Sequence, residues 1–323
     1  MRPEIDRLDT RAVPLRIGTR GSDLAVWQAR RVANLLQEKL GHPAELVVIS
    51  TKGDRIQNVS FHKMEGKGFF TKELQEALLD GRVDLVVHSL KDLPTEEPDG
   101  LEVVAIPERT TPADLLISRK DILCATFANP LGLPEEADLG TSSLRRAAQA
   151  LALQPSLRVK ALRGNVPTRI NKLRKGQYDA ILLAAAGVRR LELDMDGLDV
   201  RVLSPELMLP AAGQGALAIE VRRGDPVTKE IATLHDSEAG RLVRAERHLL
   251  GLMGGGCHLP LGCLATAEED GTIRLQAVLG VVDEEITRAV ITRVAAVARD
   301  PEAAARTCRL ALIEAEPHLP EGP

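Results

Sequence analysis

Val83-Asp-Leu-Val-Val-His-Ser-Leu-Lys-Asp92 is the stretch from which the fold can be read. Val83 to Val87 is short, β-branched and almost uninterruptedly apolar, as in a strand covered on both faces, and it empties into the polar His88-Ser-Leu-Lys-Asp92. An aspartate directly after a lysine at the mouth of a buried strand suits acid–base work or the stabilisation of a developing charge. A salt-bridged loop would carry the same residues, so the pair alone leaves both readings open.

The preceding segments repeat the pattern. Leu15-Arg-Ile-Gly18 reads as a strand running into Thr19-Arg-Gly-Ser22. A helix follows, capped by Ser22 or Asp23, with Leu24, Ala25, Val32, Leu35 and Leu36 on one face and Gly41 as its stop. Leu46–Ser50 is a buried-type strand leading to Thr51-Lys-Gly-Asp54. A mobile-looking polar stretch, Arg55–Gly68, carries Lys63 and Lys67, and the helix Phe70–Asp80 comes next. This β-α-β-α-β order predicts a parallel sheet with helices on both faces. Arg20, Ser22, Lys52, Asp54, His88, Lys91 and Asp92 then all fall just past the carboxyl ends of strands, the edge where open α/β sheets bind ligands.

Glu108-Arg-Thr-Thr-Pro-Ala113 reads as a polar hinge, after which the alternation restarts. The expected strands are Leu115–Ser118, Ala137–Leu139, Leu157–Leu162 and Asp179–Ala184, with helices Ser142–Leu153 and Val166–Lys175. Between Thr141 and Arg190 stand eleven basic residues (Arg145, Arg146, Arg158, Lys160, Arg163, Arg169, Lys172, Arg174, Lys175, Arg189, Arg190) and one acid, Asp179. Eleven minus one is a local +10 in a chain of formal charge −4. Solvated helix faces mix signs, whereas guanidinium forks suit carboxylates and phosphates. The helix opening at Gly140-Thr-Ser-Ser143 adds an amino end that favours an anion. A multiply charged anion between two lobes is the expected ligand. Nucleic acid fits poorly, because aromatics are 2% of the chain and Tyr178 is the only one in this segment.

Leu209-Pro-Ala-Ala-Gly-Gln-Gly215 leads into the strand Ala216–Val221. Gly213-x-Gly215-x-x-Ala218 matches a loose dinucleotide fingerprint but precedes a strand, so no nucleotide site is assigned. This stretch returns the chain to the first lobe and gives the lobes two connections. The helix Ser237–Leu250 carries Arg241, Arg244 and Arg247 on one side. Strands near Ile273–Val282 and Glu285–Ala295 and the helix Pro301–Glu314 complete a small α+β domain.

Before those strands lies Gly254-Gly-Gly-Cys257-His-Leu-Pro-Leu-Gly262, which presents one thiol on a loop with room beside it. An incidental cysteine in a glycine-rich turn would look the same. Cys257, His258 and Cys263 match no zinc spacing, so no metal is assigned, and a protease-type Cys-His dyad would not need an anion-seeking cleft. The cysteines (Cys124, Cys257, Cys263, Cys308) are scattered without paired spacing, as reduced thiols in a cytoplasmic protein would be. Met1–Pro14 reads as a disordered tail without a secretory signal. No apolar run approaches the ~18 residues of a spanning helix, so no membrane partner is expected.

At this point the motifs resemble a known family, hydroxymethylbilane synthase or porphobilinogen deaminase, over nearly the whole chain. They are Gly18-Thr-Arg20-Gly-Ser22, Gly66-Lys-Gly-Phe-Phe-Thr-Lys-Glu-Leu74, Val87-His-Ser-Leu-Lys-Asp-Leu-Pro94, Gly140-Thr-Ser-Ser-Leu-Arg-Arg146, Leu162-Arg-Gly-Asn165 with Thr168-Arg169, Leu209-Pro-Ala-Ala-Gly-Gln-Gly-Ala-Leu217, and Gly255-Gly-Cys257 with Pro260. The resemblance implies two hinged periplasmic-binding-protein-like α/β lobes plus a small C-terminal α+β domain. The units are 1–13 as a tail, 14–111 with 214–236, 112–213, and 237–323. It implies a transferase that joins four porphobilinogen molecules on a dipyrromethane cofactor, held by a thioether to Cys257, and releases the linear tetrapyrrole hydroxymethylbilane of haem biosynthesis. Asp92 would stabilise the positive charge formed as ammonia leaves and assist proton loss. By motif position, cofactor contacts fall on Arg20, Ser22, Lys91, Asp92, Thr141, Ser142, Ser143, Arg145, Arg146, Arg163, Gly164, Arg169 and Arg190, with Arg20, Lys63, Lys67 and Arg169 toward substrate. The arginines gain a cause, since every pyrrole carries an acetate and a propionate. His88 and Ser89 read as structural. Asn58-Val-Ser-Phe-His62 and Met64-Glu65 depart from the family pattern. Nothing demands more than a monomer. The rival from another class is a two-lobed binder of polycarboxylate anions without covalent chemistry. A cysteine-nucleophile hydrolase, whose thiol would have to stay open to alkylation, is the third.

Overall fold

A computed structural model describes residues 13–51, 71–120, 122–123, 130–255 and 259–315. The first sheet contains β1 (Leu15–Thr19), β2 (Ala44–Val48), β3 (Leu85–Ser89), β4 (Leu101–Ala105) and a late strand, β10 (Leu217–Arg222), in the order β2-β1-β3-β10-β4. α1 (Asp23–Leu35) starts where Ser22 accepts from the Ala25 N–H, buries Gln28, Ala29, Val32 and Leu35, and continues through one wider turn to Gly41 at φ +72°. α2 (Lys72–Leu79) buries Leu74, Gln75, Ala77 and Leu78. Helices lie on both faces because both faces of β1, β3 and β10 are apolar: Ile17, Leu85, Val87 and Ile219 pack toward α1, and Val83, Val86 and Leu101 toward α2.

The expected parallel sheet is corrected to a mixed one. β1 runs parallel to β2 and β3, but β10 is antiparallel to both β3 and β4. The chain leaves this lobe after β4 and re-enters beside its own exit, where Arg109 bridges Ala216, so the returning strand must run the other way. That return and its two crossings are as the sequence predicts. β4, never expected as a strand, is held in place by this late partner.

The second lobe repeats the plan with β5 (Asp114–Arg119), β6 (Asp138–Gly140), α3 (Leu144–Leu153), β7 (Arg158–Lys160), α4 (Val166–Arg174), β8 (Ala180–Ala184), α5 (Ala185–Arg190) and β9 (Leu198–Val202), in sheet order β7-β6-β8-β5-β9. β6 is parallel to β7 and β8, and β5 is antiparallel to β8 and β9. The expected strand Leu157–Leu162 shortens to three residues, and edge strand β9 was not legible. α6 (Thr228–Ala232) then leads to the last unit.

There, α7 (Ser237–Leu252) and α8 (Pro301–Glu314) cover an antiparallel sheet of β11 (Leu261–Ala267), β12 (Ile273–Val282) and β13 (Ala289–Ala298). β11 was not expected. β13 starts later than the predicted Glu285, because Asp283 accepts from Thr287 N, Thr287 Oγ1 and Arg288 N and closes a turn. The sheet's far side presses on α3, so closely that a Cβ on Gly280 would come within 2.5 Å of Ala148 Cβ. Among the described residues no helix is long and apolar enough to cross a membrane.

Candidate functional site

β3 delivers its last residue, Ser89, to a single tight turn, Leu90–Asp92. Leu90 and Leu93 are buried, which leaves Lys91 half-buried and Asp92 exposed between two anchors. The turn is pinned from two sides. Leu90 N donates to Ala216 O at 3.0 Å, and Arg247 on α7 donates to the carbonyls of Leu90, Leu93 and Pro94 at 3.3, 3.0 and 2.7 Å. Beneath it, buried Glu220 takes His88 Nε2 and Gln75 Nε2, both at 2.9 Å, and Gln28 Nε2 donates to Ser89 Oγ at 2.7 Å. His88 and Ser89 are thus spent on holding β3, α1 and α2 together.

Two clefts share Gln28 and Ser89. The larger, about 520 Å³ and open to solvent, is lined by Lys91, Arg146, Arg169, Arg190 and Gln214 among others. The smaller is lined by Arg20, Thr71, His88 and Asp92. Burial pushes the Lys91 ammonium down to about 8, with Asp92 opposing and Arg146 adding to the fall. Burial also pushes Arg169 down to about 10, again with Arg146 adding and Asp92 opposing. Arg190, buried, stacks over the Trp27 ring at 5.6 Å and donates to Gly215 O at 2.9 Å; burial lowers it too, against Glu108. Cations crowded and desolvated in this way are an anion site, because a carboxylate among them restores what burial removes. The site fits a group carrying several carboxylates, as a dipyrromethane does.

The arginine excess is partly local accounting. Arg145 and Arg146 both bind Asp114, each at 2.7 Å in its shortest contact, and Gln214 Nε2 adds a third donor at 2.9 Å. Burial alone would raise the Asp114 carboxyl, but the charges and hydrogen bonds of the two guanidiniums hold it well below the carboxylate range. Arg158 and Lys160 pair with Asp138, and Arg174 with Asp194. Five of the eleven bases therefore meet acids just outside the counted window, and the expectation that the whole +10 faces a ligand is corrected. Of the residues assigned by motif, Lys91, Arg146, Arg169 and Arg190 meet at one cleft and Arg20 and Asp92 at the other. Arg145 turns to Asp114 and to Leu209 O. Ser22 caps α1, Thr141 Oγ1 accepts from Ser143 N, and Ser142 Oγ bonds to Leu162. Gly164, at φ +109°, lets Thr168 close over it while Arg169 Nε donates to its carbonyl at 2.7 Å. Arg163 lies half-buried beside it.

Cys257, Lys63 and Lys67 lie outside the described residues, as do Lys52, Asp54 and Cys124. Gly254 and Gly255 take φ of +90° and +47°, and a Cβ on Gly255 would meet Thr95 Oγ1 at 2.9 Å. Thr95 closes the segment that Arg247 pins, so α7 both holds the Asp92 turn and leads the chain toward Cys257.

Sequence reasoning missed Asp114, Gln214 and Glu246. Glu246 on α7 binds Arg109 through both oxygens at 2.8 and 3.0 Å and also accepts from Gly213 N and Ala265 N. Their partners are 19 to 137 residues away, so no local pattern exposes them, although a buried-type strand just after Asp114 was a signal.

Known proteins match the chain along most of its length. The family model described as porphobilinogen deaminase, dipyromethane cofactor binding domain, matches residues 15–230, and the family's C-terminal domain model matches residues 241–314. Curated proteins named porphobilinogen deaminase include that of Sulfurimonas denitrificans, 47% identical over 270 residues (83% of this chain and 84% of that one). That of Thiobacillus denitrificans is 44% identical over 296 residues, covering 90% and 92%. Solved structures with a similar course include a periplasmic domain of BvgS from Bordetella pertussis (14% identity, TM-score 0.40, 68% and 84% covered). An arginine-specific periplasmic binding protein of Salmonella typhimurium is a second (14% identity, TM-score 0.39, 70% and 93% covered).

Proposed function

Because the chain belongs to the porphobilinogen deaminase family, we propose that it is a transferase that deaminates four porphobilinogen molecules and joins them into hydroxymethylbilane. The observation that carries this reading is the desolvated group of Lys91, Arg146, Arg169 and Arg190 beside an exposed Asp92. A dipyrromethane bound there, through a thioether to Cys257, supplies the pyrrole carbon to which the first substrate couples. The cations of the larger cleft hold the acetates and propionates and fix the growing chain's register. Arg20 draws the substrate's carboxylates toward Asp92.

Asp92 has two duties. Its carboxylate stabilises the positive charge that forms as ammonia leaves porphobilinogen, and it accepts the proton lost after each coupling. Lys91, its neighbour, meets the anionic chain and is not needed as an acid. The functional units are 14–111 with 214–236, 112–213, and 237–323, after a tail at 1–13. The buried free thiols of Cys263 and Cys308 support a cytoplasmic setting.

Intact mass under reducing conditions tests this directly. A two-pyrrole adduct is expected on the parent and not on Cys257→Ala, and Asp92→Asn should keep the adduct and the fold while losing nearly all turnover. A parent of unmodified mass after incubation with porphobilinogen overturns the reading, and wild-type rates in Asp92→Asn remove Asp92 from the mechanism.

A further inference from the structure

Thr71 stands immediately before α2 and is 2% exposed, yet its Oγ1 has no hydrogen-bond partner among the described residues. A threonine at this point ordinarily turns its hydroxyl onto the N–H groups of the first turn. Here it does not: its backbone is already helical at φ −116°, ψ −29°, its carbonyl accepts from Gln75 N at 2.9 Å, and the side chain makes no cap bond. A buried hydroxyl without a partner destabilises the fold, and valine would fill the same space without that penalty.

The hydroxyl's surroundings supply a reason for it. Thr71 lines the smaller cleft with Arg20, Gln28, His88, Ser89 and Asp92. Of these, His88 is spent on Glu220, and Gln28 and Ser89 on each other. Thr71 and Leu74, at the start of α2, both line the cleft, so the positive end of the helix dipole lies at its wall. An unused donor, a helix amino end and Arg20 thus converge beside Asp92.

We propose that the Thr71 hydroxyl, with the amino end of α2, binds one carboxylate of the incoming monopyrrole and so sets its aminomethyl group against Asp92. Thr71 is a positioning residue: its O–H donates to a carboxylate oxygen and takes no part in proton transfer. The assignment rests on porphobilinogen as substrate.

The test uses the full-length holoenzyme with Thr71→Val and Thr71→Ser, and Thr71→Ala should valine misfold. Steady-state kinetics with porphobilinogen are paired with calorimetric titration of the same pyrrole acetate-propionate lacking its aminomethyl group, which cannot react. A lost hydrogen bond to a charged group predicts that KM and the analogue's Kd rise about tenfold in Thr71→Val. In that variant kcat should stay within about twofold, and Thr71→Ser should restore both constants. A purely structural threonine predicts instead a Thr71→Val protein at least as stable as the parent with unchanged KM and Kd, which overturns the proposal. A parent that binds the analogue through Thr71 but does not deaminate porphobilinogen would sink the functional reading and leave the subsite standing. A parent that turns over porphobilinogen with Thr71→Val unaffected would sink the subsite alone.

Discussion

Glu246→Gln is the most informative perturbation of the frame around this site. The residue is wholly buried, and each carboxylate oxygen takes one guanidinium and one backbone donor. Oε1 accepts from Arg109 Nη1 at 2.8 Å and Ala265 N at 2.9 Å, and Oε2 accepts from Arg109 Nη2 at 3.0 Å and Gly213 N at 2.8 Å. A glutamine of the same shape turns one oxygen into an NH₂ that faces two donors, and it leaves Arg109 charged and buried without its counter-ion. Breaking a buried pair in this way costs about 3–5 kcal/mol. At about 2–4 °C per kcal/mol for chains somewhat shorter than this one, the melting temperature should fall by roughly 6–20 °C. Thermal unfolding followed by circular dichroism gives the first reading, and a cycle with Arg109→Met gives the second. Contacting partners should couple by at least about 0.5–3 kcal/mol. A Glu246→Gln protein melting within about 2 °C of the parent, or single effects that simply add, would refute the reasoning. The consequence is wide because Arg109 lies on the outgoing crossing, Gly213 on the returning one and Ala265 on the first strand of the third domain.

Two further outcomes follow. Burial holds Lys91 near 8 instead of its ordinary 10.5, so the folded chain binds that proton less tightly than the unfolded chain. This group therefore weakens folding below pH 8, and the handicap fades as pH climbs toward 10.5. Substrate affinity should behave oppositely, with KM rising above pH 8 as the cation discharges. Lys91→Arg, charged throughout, should flatten that limb, and an unmoved limb would assign it elsewhere. Arg247→Leu removes three hydrogen bonds from the Asp92 turn without touching the cleft. A displacement of that turn near 1 Å predicts kcat lower by about 100-fold with the adduct retained, checked by rate and intact mass together, and an unchanged kcat would show that β3 and the Leu90–Ala216 hydrogen bond position Asp92 without Arg247.

The sequence was most legible where one segment carries its own pattern. The run Val83–Val87 emptying into Lys91 and Asp92 marked both a buried strand and the ligand edge, and Ser22 caps its helix where local rules place it. The antiparallel setting of β10 was hidden, because the orientation of a returning strand depends on where its neighbour left the sheet. β9 was hidden because a short edge strand with alternating polar residues looks like a loop until a partner pairs it, and β4 because five residues at a sheet edge carry too little pattern of their own. Within the site, the arginine run pointed to an anion, but which guanidiniums face it depends on Asp114, a residue in a different segment. Asp114 holds both Arg145 and Arg146, and of the two only Arg146 still lines the larger cleft.

The late insertion of β10 also bears on how the chain is synthesised. The second lobe's sheet is drawn wholly from residues 114–202, so a ribosome-bound chain holds all its strands before the last strand of the first lobe has been made. β3 and β4 come out early, yet the strand that joins them, Leu217–Arg222, follows more than a hundred residues later. Until then two apolar strand edges of the leading lobe stay unpaired in the nascent chain, the state most open to misassociation. The amino-terminal lobe, first to emerge, is the one that closes last.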